Sequence, residues 1–289
     1  MMRQPPARVG IITKPEEPRA AELAARIAVW AGQHNTNLFV NDRVEALPAG
    51  TFSASEAEIA ETCDLLIVLG GDGTMIAAAR LVGGRGTPVL GVNLGTLGYL
   101  TEFTVEEVIP ALEYVTHGEY EVDSRTMLDW RVMREGREIA SGSALNDVVV
   151  NKAALARIID IDFLIGSHYV TTYRADGLIV ATPTGSTAYN VSAGGPIIAP
   201  GTPAFSVCPI CPHTLTNRPL VLPDTALIRL QMNTRDQEVM LTADGWTGVP
   251  LVAGDRVEIT KSAKTFDTVR ARDRNYFQIL RNKLRWSGR

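Results

Sequence analysis

Hydrophobic residues fall along this chain in two rhythms. Up to about Thr116 short apolar runs alternate with segments of helical period, and beyond Gly118 the period drops to two. Arg8–Thr13 (RVGIIT) reads as a strand, and Pro18–Gln33 as a helix with Leu23, Ile27 and Trp30 on one face. Thr36–Val40 predicts a second short strand and Ala54–Thr62 a weak helix. The apolar run Leu65–Leu69 then enters Gly70-Gly71-Asp72-Gly73-Thr74, with a helix predicted over Met75–Val82, a strand over Thr87–Asn93 and a helix over Val105–Thr116. Such alternation predicts a parallel sheet covered by helices, with ligands at the carboxyl ends of the strands. Gly70–Thr74 and Gly91–Gly98 both sit at such ends, so the two loops are expected to face one crevice.

In the second half Leu128, Trp130 and Val132 alternate with Asp129, Arg131 and Met133, and Ile159, Ile161 and Phe163 with Asp160, Asp162 and Leu164. Further strands are predicted at Leu145–Val150, Leu178–Ala181, Ala226–Met232, Glu238–Thr242 and Arg256–Thr260. This pattern predicts a mainly antiparallel sandwich or layered sheet. The fold class expected is thus α/β plus all-β. Its parts are an α/β domain over 1–120, a β-rich domain over 121–265 and a tail, 266–289, whose helix docks through Phe277, Leu280 and Leu284.

The glycine turn changes this picture from architecture to chemistry. Glycines let the backbone turn tightly and approach a ligand, and amides next to a helix N-terminus form a concave site for phosphate. Asp72 is the odd member, since a carboxylate repels phosphate unless a metal or hydroxyl lies between them. The alternative is a plain turn after a core strand, with Asp72 as the helix N-cap.

Composition narrows the classes. At 289 residues, 45% hydrophobic and 21% charged, the chain suits a globular protein of two domains. A net charge of −4 with no long basic run argues against a nucleic-acid surface. No apolar stretch reaches membrane-spanning length and MMRQPPARVG lacks the apolar core of a signal peptide, so a cytoplasmic location is expected. Cys63, Cys208 and Cys211 make no disulfide framework. Cys208-Pro209-Ile210-Cys211 matches C-x-x-C, but its prolines predict a loop and no second ligand pair is at hand, so small buried apolar cysteines are the better reading.

Two further stretches carry candidate chemistry. Asn146-Asp147 stands where Val148-Val149-Val150 begins; an amide beside a carboxylate suits a nucleoside, and a turn pair capping a strand is the equal alternative. The stretch from Arg174 through Asp176-Gly177 and Thr182-Pro183-Thr184-Gly185-Ser186-Thr187-Ala188-Tyr189 to Pro196 feeds a strand into a loop of hydroxyls and glycines. Such a loop offers amides and three hydroxyls to phosphate or ribose, and Tyr189 a flat face to a base. The chain has neither G-x-x-x-x-G-K-[ST] nor a strand followed by G-x-G-x-x-G, which removes P-loop, ordinary Rossmann and protein-kinase chemistry. His34, His117, His168 and His213 fit no metalloprotease or serine-hydrolase spacing.

GGDGT at 70–74, NLGTLGYLT at 93–101, Asn146-Asp147 and DGLIVATPTGSTAYNVSAGGP at 176–196 together resemble the NAD kinases. PHTLTNRPLV at 212–221 and YFQILRNKLRW at 276–286 fit too, so the likeness covers nearly the whole chain. GGDGT alone also occurs in lipid, sphingoid and phosphofructokinase-like kinases. The resemblance implies phosphorylation by ATP of the 2′-hydroxyl of the adenosine ribose of NAD, giving NADP, at a site between an α/β and a β-rich domain. It implies that Asp72 lies at the ribose hydroxyl as base or orienting group, with Gly73 against the nucleotide. Asn146, Asp147, Asp176 and the run Thr187, Ala188, Tyr189 to Ser192 would hold the nucleosides, with Arg157 and Arg174 approaching the dinucleotide. An arginine at the place of Arg174 goes with NAD over NADH as substrate. Amides of Gly70, Gly71, Gly73 and Thr74 are expected on the phosphates, with Mg²⁺ or another divalent cation bridging β and γ oxygens and no protein ligand assigned to it. A homodimer or homotetramer is the implied assembly. The rivals are a lipid kinase, which has no use for the 176–196 loop, and a non-catalytic nucleotide sensor, which has no use for Asp72.

Overall fold

All five side chains of the Leu65–Leu69 run are buried, as a strand covered on both faces requires. The computed structural model describes residues 4–14, 17–41, 50–95, 98–153, 157–214, 216–233, 238–246, 248–272 and 274–286. The chain divides into two units: Met1–Ser124 joined by Phe266–Arg289, and Arg125–Thr265.

The first unit runs β1 (Arg8–Thr13), α1 (Pro18–Gln33), β2 (Asn37–Asn41), β3 (Thr51–Ala54), α2 (Glu56–Thr62), β4 (Leu65–Leu69), α3 (Asp72–Val82), β5 (Val89–Asn93), β6 (Phe103–Thr104) and α4 (Val108–Thr116). Its sheet has the order β3-β2-β1-β4-β5, with every pairing parallel. The chain order reverses at β1, which lies between β2 and β4, and the carboxyl ends at such a reversal form the usual ligand crevice of open α/β sheets. Register sets Thr13 beside Leu69 and Leu69 beside Val92, so the loops after β4 and β5 leave the sheet as neighbours. Val9, Ile11, Leu65, Ile67 and Leu90 pack with Leu23 and Ile27 of α1 and with Leu112 of α4 in one core. Pro18 begins α1, where its missing N–H costs nothing.

Several boundaries differ from the sequence expectation for local reasons. Ser55 accepts the N–H of Glu58 at 3.3 Å while the Glu58 carboxylate accepts that of Ser55 at 2.9 Å. This capping box starts α2 one residue after β3 ends, so Thr51–Ala54 is a strand and only Glu56–Thr62 is helix. The helix predicted from Val105 starts at Val108, because the Glu107 carboxylate first accepts the N–H of Thr104.

The second unit takes most of β7 (Val122–Arg134), then β8 (Arg137–Ala144), β9 (Asp147–Lys152), β10 (Ile159–Ile165), β11 (His168–Ala175), β12 (Gly177–Ala181) and α5 (Tyr189–Ser192). It continues through β13 (Ala204–Ile210), β14 (Leu220–Pro223), β15 (Ile228–Met232), β16 (Val239–Ala243), β17 (Val249–Leu251) and the front of β18 (Arg256–Val269). Strands β14-β13-β12-β9-β16-β17 form an antiparallel sheet, and β11-β10-β15-β18 pair antiparallel, with β7 beside β18 and β8 beside β7. Trp130, Val148, Val150, Phe163, Tyr173, Leu178, Phe205 and Ile259 interleave in one core, the sandwich the period of two predicts. The β7–β8 hairpin turns on Glu135 and Gly136, both at positive φ, which is the two-residue turn that matches strand twist.

Two expectations are corrected here. Cys208-Pro209-Ile210 is the end of β13 rather than loop. Cys208 is buried, but Cys211 is exposed at φ +45°, so it is not the buried apolar cysteine expected. The last helix, α6 (Tyr276–Leu284), is capped by Asn275 and Gln278 and buries Ile279 and Leu280, while Phe277 is 61% exposed.

Candidate active site

In the first unit the glycine turn after β4 is built by a close approach. A Cβ on Gly70 would overlap Thr74 Oγ1, whereas one on Gly71 or Gly73 would meet nothing within 4 Å. Gly70 therefore shapes the turn, and Gly71 and Gly73 leave its outer side open. The Gly70 N–H donates to Val92 O at 3.0 Å and the Thr74 N–H to Gly71 O at 3.0 Å. Of the four amides expected on phosphate, those of Gly70 and Thr74 are thus used inside the fold. The amides that open α3, those of Asp72 and Gly73 after the N-cap Gly71, are the ones that a helix leaves without an intrahelical partner.

Asp72 is not the N-cap of its helix; Gly71 is, and Asp72 begins α3, three residues before the predicted start. Its carboxylate points to the other loop, where Oδ2 accepts the Tyr99 N–H at 2.8 Å and Oδ1 the Leu100 N–H at 3.0 Å. Gly98 has no side chain because a Cβ there would lie on the Asp72 carboxylate. Thr101 Oγ1 accepts the N–H of Gly98 at 3.0 Å and the Asn93 amide at 2.9 Å, and Asn93 Oδ1 accepts the Gly95 N–H at 2.8 Å. The two glycine loops thus meet at Asp72, as the β-α alternation predicts. Thr96 and Leu97 of this stretch lie outside the described residues. Burial, with the Asp72 carboxylate as a second cause, pushes the Tyr99 phenol up.

In the second unit Asn146 and Asp147 form the corner that leads into β9. Thr182 ties this corner to the hydroxyl-rich loop: its N–H donates to Asn146 O at 2.9 Å and its hydroxyl to Leu145 O at 2.6 Å. Asp147 is 5% exposed, and burial, with the Asp244 carboxylate as second cause, raises its carboxyl to about 7. Asp176 precedes β12 and pairs with Lys152 at 3.2 Å. Tyr189 and Ser192 of α5 are exposed, and burial followed by Cys211, Asp176 and Asp147 raises the Tyr189 phenol. Arg174 on β11 is exposed and faces Asp160 across the ladder at 3.5 Å. Arg157 lies exposed just before β10.

The hydroxyls of this loop are less free than the sequence suggests. Ser186 Oγ donates to Pro183 O at 2.6 Å and accepts the Ile198 N–H at 2.9 Å, and Thr187 donates to Thr184 O at 3.2 Å. Asn190, in the middle of the expected binding run, is buried and holds Ser186 O, Pro196 O and the Ser206 hydroxyl. The density of Ser, Thr and Asn therefore builds the loop's rigidity, and Tyr189 and Ser192 form its accessible side. The residue that sequence reasoning missed is Asp244, whose carboxylate accepts the N–H groups of Leu145, Asn146 and Asp147. Its signal was present, since an Asp-Gly pair ends β16 just as Asp176-Gly177 opens β12.

Among the described residues no group of three or more His, Cys, Asp or Glu could hold a metal ion, and no helix is long and apolar enough to cross a membrane.

A family model described as the ATP-NAD kinase N-terminal domain matches residues 9–120, and one for the ATP-NAD kinase C-terminal domain matches 145–271. The chain is 48% identical to the NAD kinase of Syntrophotalea carbinolica over 283 residues, 98% of this chain and 99% of that one. It is 44% identical to the NAD kinase of Geobacter sulfurreducens over 282 residues, again 98% and 99% of the two chains. Among solved structures, yeast NADH kinase complexed with NADH superposes with a TM-score of 0.89 at 27% identity, over 99% of this chain and 90% of that one. An NAD kinase from Archaeoglobus fulgidus in complex with ATP gives 0.74 at 25% identity, over 97% and 100%. A parallel-sheet unit with a glycine turn, followed by a β-rich unit with a rigid hydroxyl loop, is here the architecture of a phosphotransferase. The chain belongs to the NAD kinase family.

Proposed function

We propose a division of labour within the reaction of this family, in which ATP phosphorylates the 2′-hydroxyl of the adenosine ribose of NAD to give NADP. The observation that carries it is the anchoring of Asp72. A carboxylate with one backbone N–H on each oxygen, at 2.8 and 3.0 Å, is fixed beside an open glycine turn and keeps further lone pairs for a hydroxyl. Phosphoryl transfer needs in-line placement and neutralised charge more than covalent help from the protein. Asp72 accepts the hydrogen bond of the attacking hydroxyl and aligns its oxygen on the γ-phosphorus, and Gly73 leaves room for the nucleotide. The α3 amides and Gly71 receive donor phosphates, work assigned to the α/β domain. Asn146, Asp147, Asp176, Thr187, Ala188, Tyr189 and Ser192 bind the dinucleotide from the β-rich domain. Arg157 and Arg174 contact it from the exposed side, Arg174 favouring NAD over NADH.

A divalent cation such as Mg²⁺ neutralises phosphate charge when bound. The donor set fits an ion that arrives on the nucleotide's own oxygens, since the described residues supply no ready cage. A homodimer or homotetramer is the assembly that the resemblance supports, and the cytoplasm, where both substrates occur, is the proposed location.

The test is NADP formation by the purified protein with Mg-ATP, with NAD and NADH compared in parallel and Asp72→Asn as control. Turnover of NAD that the substitution removes is the expected result. If Asp72→Asn keeps most of the wild-type kcat, the role given to the carboxylate fails; if NAD binds and no donor supports turnover, the chain acts as a sensor. Arg174→Gly is expected to raise the NADH rate relative to NAD.

A further inference from the structure

Asp244 stands at the end of β16, where the chain turns at φ +53° into Gly245 at φ +74°. Its side chain is bent back into the unit, and the residue is only 9% exposed. Oδ1 accepts the N–H of Asn146 at 2.7 Å and of Asp147 at 3.2 Å, and Oδ2 accepts that of Leu145 at 2.9 Å. The Asp244 N–H closes the ring by donating to Asp147 O at 3.0 Å. Three successive amides aimed at one carboxylate make a backbone anion nest whose anion is a side chain. A β-turn needs nothing so elaborate, and the corner so held is the one that carries Asn146 and Asp147.

We infer that Asp244 is a positioning residue for the acceptor: through three amides it fixes the corner bearing Asn146 and Asp147, and its carboxylate bears on the hydrogen bonding that the Asp147 carboxyl offers the dinucleotide. The inference rests on the proposed binding of NAD by that corner. Burial first, and the Asp244 charge after it, disfavour the ionised form of the Asp147 carboxyl. Ionised, Asp147 accepts hydrogen bonds from ribose hydroxyls; protonated, it offers one donor and loses acceptor capacity. NAD affinity therefore rises as pH passes through the range in which Asp147 loses its proton. The other titratable group facing Asp147 is Tyr189 of α5, on which Cys211 and Asp176 also act; Asp176 itself pairs with Lys152 at the other end of β9 and β12.

The experiment measures NAD binding by calorimetry, and kcat/KM for NAD and for ATP, from pH 5.5 to 8.5 in the wild type, Asp244→Asn and Asp147→Asn. The wild type is expected to bind NAD more tightly with rising pH through an inflection near 7. In Asp244→Asn that inflection moves down, as removal of a like charge requires. Its KM for NAD rises roughly tenfold while that for ATP stays within about twofold, the signature of a fault confined to one substrate. Asp147→Asn abolishes the inflection and leaves the amide nest intact, which keeps the test alive if Asp244→Asn does not fold. An inflection unmoved in Asp244→Asn, or one that persists in Asp147→Asn, overturns the inference. If the wild type binds NAD and makes no NADP, the catalytic reading fails, and the binding curves still decide the role of Asp244.

Discussion

Gly185 lies directly on the backbone of Asn146: a Cβ at 185 would overlap the Asn146 carbonyl group and stand 2.6 Å from its Cα. Backbone cannot swing away as the end of a flexible side chain can, so the hydroxyl loop and the Asn146–Asp147 corner are keyed together at this point. Gly185→Ala forces the two apart. We expect a loss of about 1–3 kcal/mol in urea unfolding and a rise in KM for NAD larger than any fall in kcat.

A second glycine guards the Asp72 carboxylate. Gly98→Ala places a methyl group on the Asp72 carboxylate and pushes it off the Tyr99 and Leu100 amides. Misplacement of a reacting group by about 1 Å costs on the order of 100-fold in rate, so kcat should fall by about that factor while NAD still binds. Steady-state kinetics with calorimetric NAD binding separates the two effects.

Stability should carry the mark of Asp147. Its folded carboxyl titrates at about 7, well above the 3.8 of the ordinary group, so the native state holds a proton that the unfolded chain has lost between those values. Stability contributed by this group is therefore complete below about pH 4 and declines as pH rises through 7. Asp147→Asn removes that slope, and between pH 5 and 8 the variant should lose on the order of 2 kcal/mol less than the wild type. Urea midpoints at the two pH values measure the difference.

Glu258 is 4% exposed and faces Arg131, Arg229 and Arg256 at 2.5, 2.9 and 3.2 Å. Desolvation works against its charge, but Arg131 and Arg229 prevail and hold its carboxyl below the usual range. Glu258→Ala leaves three guanidinium groups around an empty centre. Because the arginines are partly in solvent, the expected cost is about 2–3 kcal/mol rather than that of a wholly buried pair. Denaturant unfolding checks it, with Arg131→Ala expected to cost much less.

Much of this was legible in the residues. Period and composition located β1, α1, β4 and the change to antiparallel strands, since burial on one or two faces writes itself into apolar spacing. What stayed hidden has physical causes. β8, with Ser141, Gly142 and Ser143, carries too little apolar alternation to be seen, and Pro209 concealed the end of β13. Side-chain direction is not a property of period. Nothing in GGDGT says that Asp72 turns from its own helix to two amides of the next loop, and nothing in the hydroxyl loop says which hydroxyls face inward. Asp244 was missed because its partners lie about a hundred residues earlier, at Leu145, Asn146 and Asp147.

The first unit is assembled from both ends of the chain. Thr268 pairs with Val89, the Arg270 N–H donates to Glu121 O and the Ala271 N–H to the Glu102 carboxylate. During synthesis the ribosome therefore releases the whole β-rich unit while the sheet that began at Arg8 still lacks its closing segment. The half that emerges first matures last. Chain termination anywhere before Phe266 would leave the glycine-turn unit unfinished, while the inserted unit has all of its sequence by Thr265.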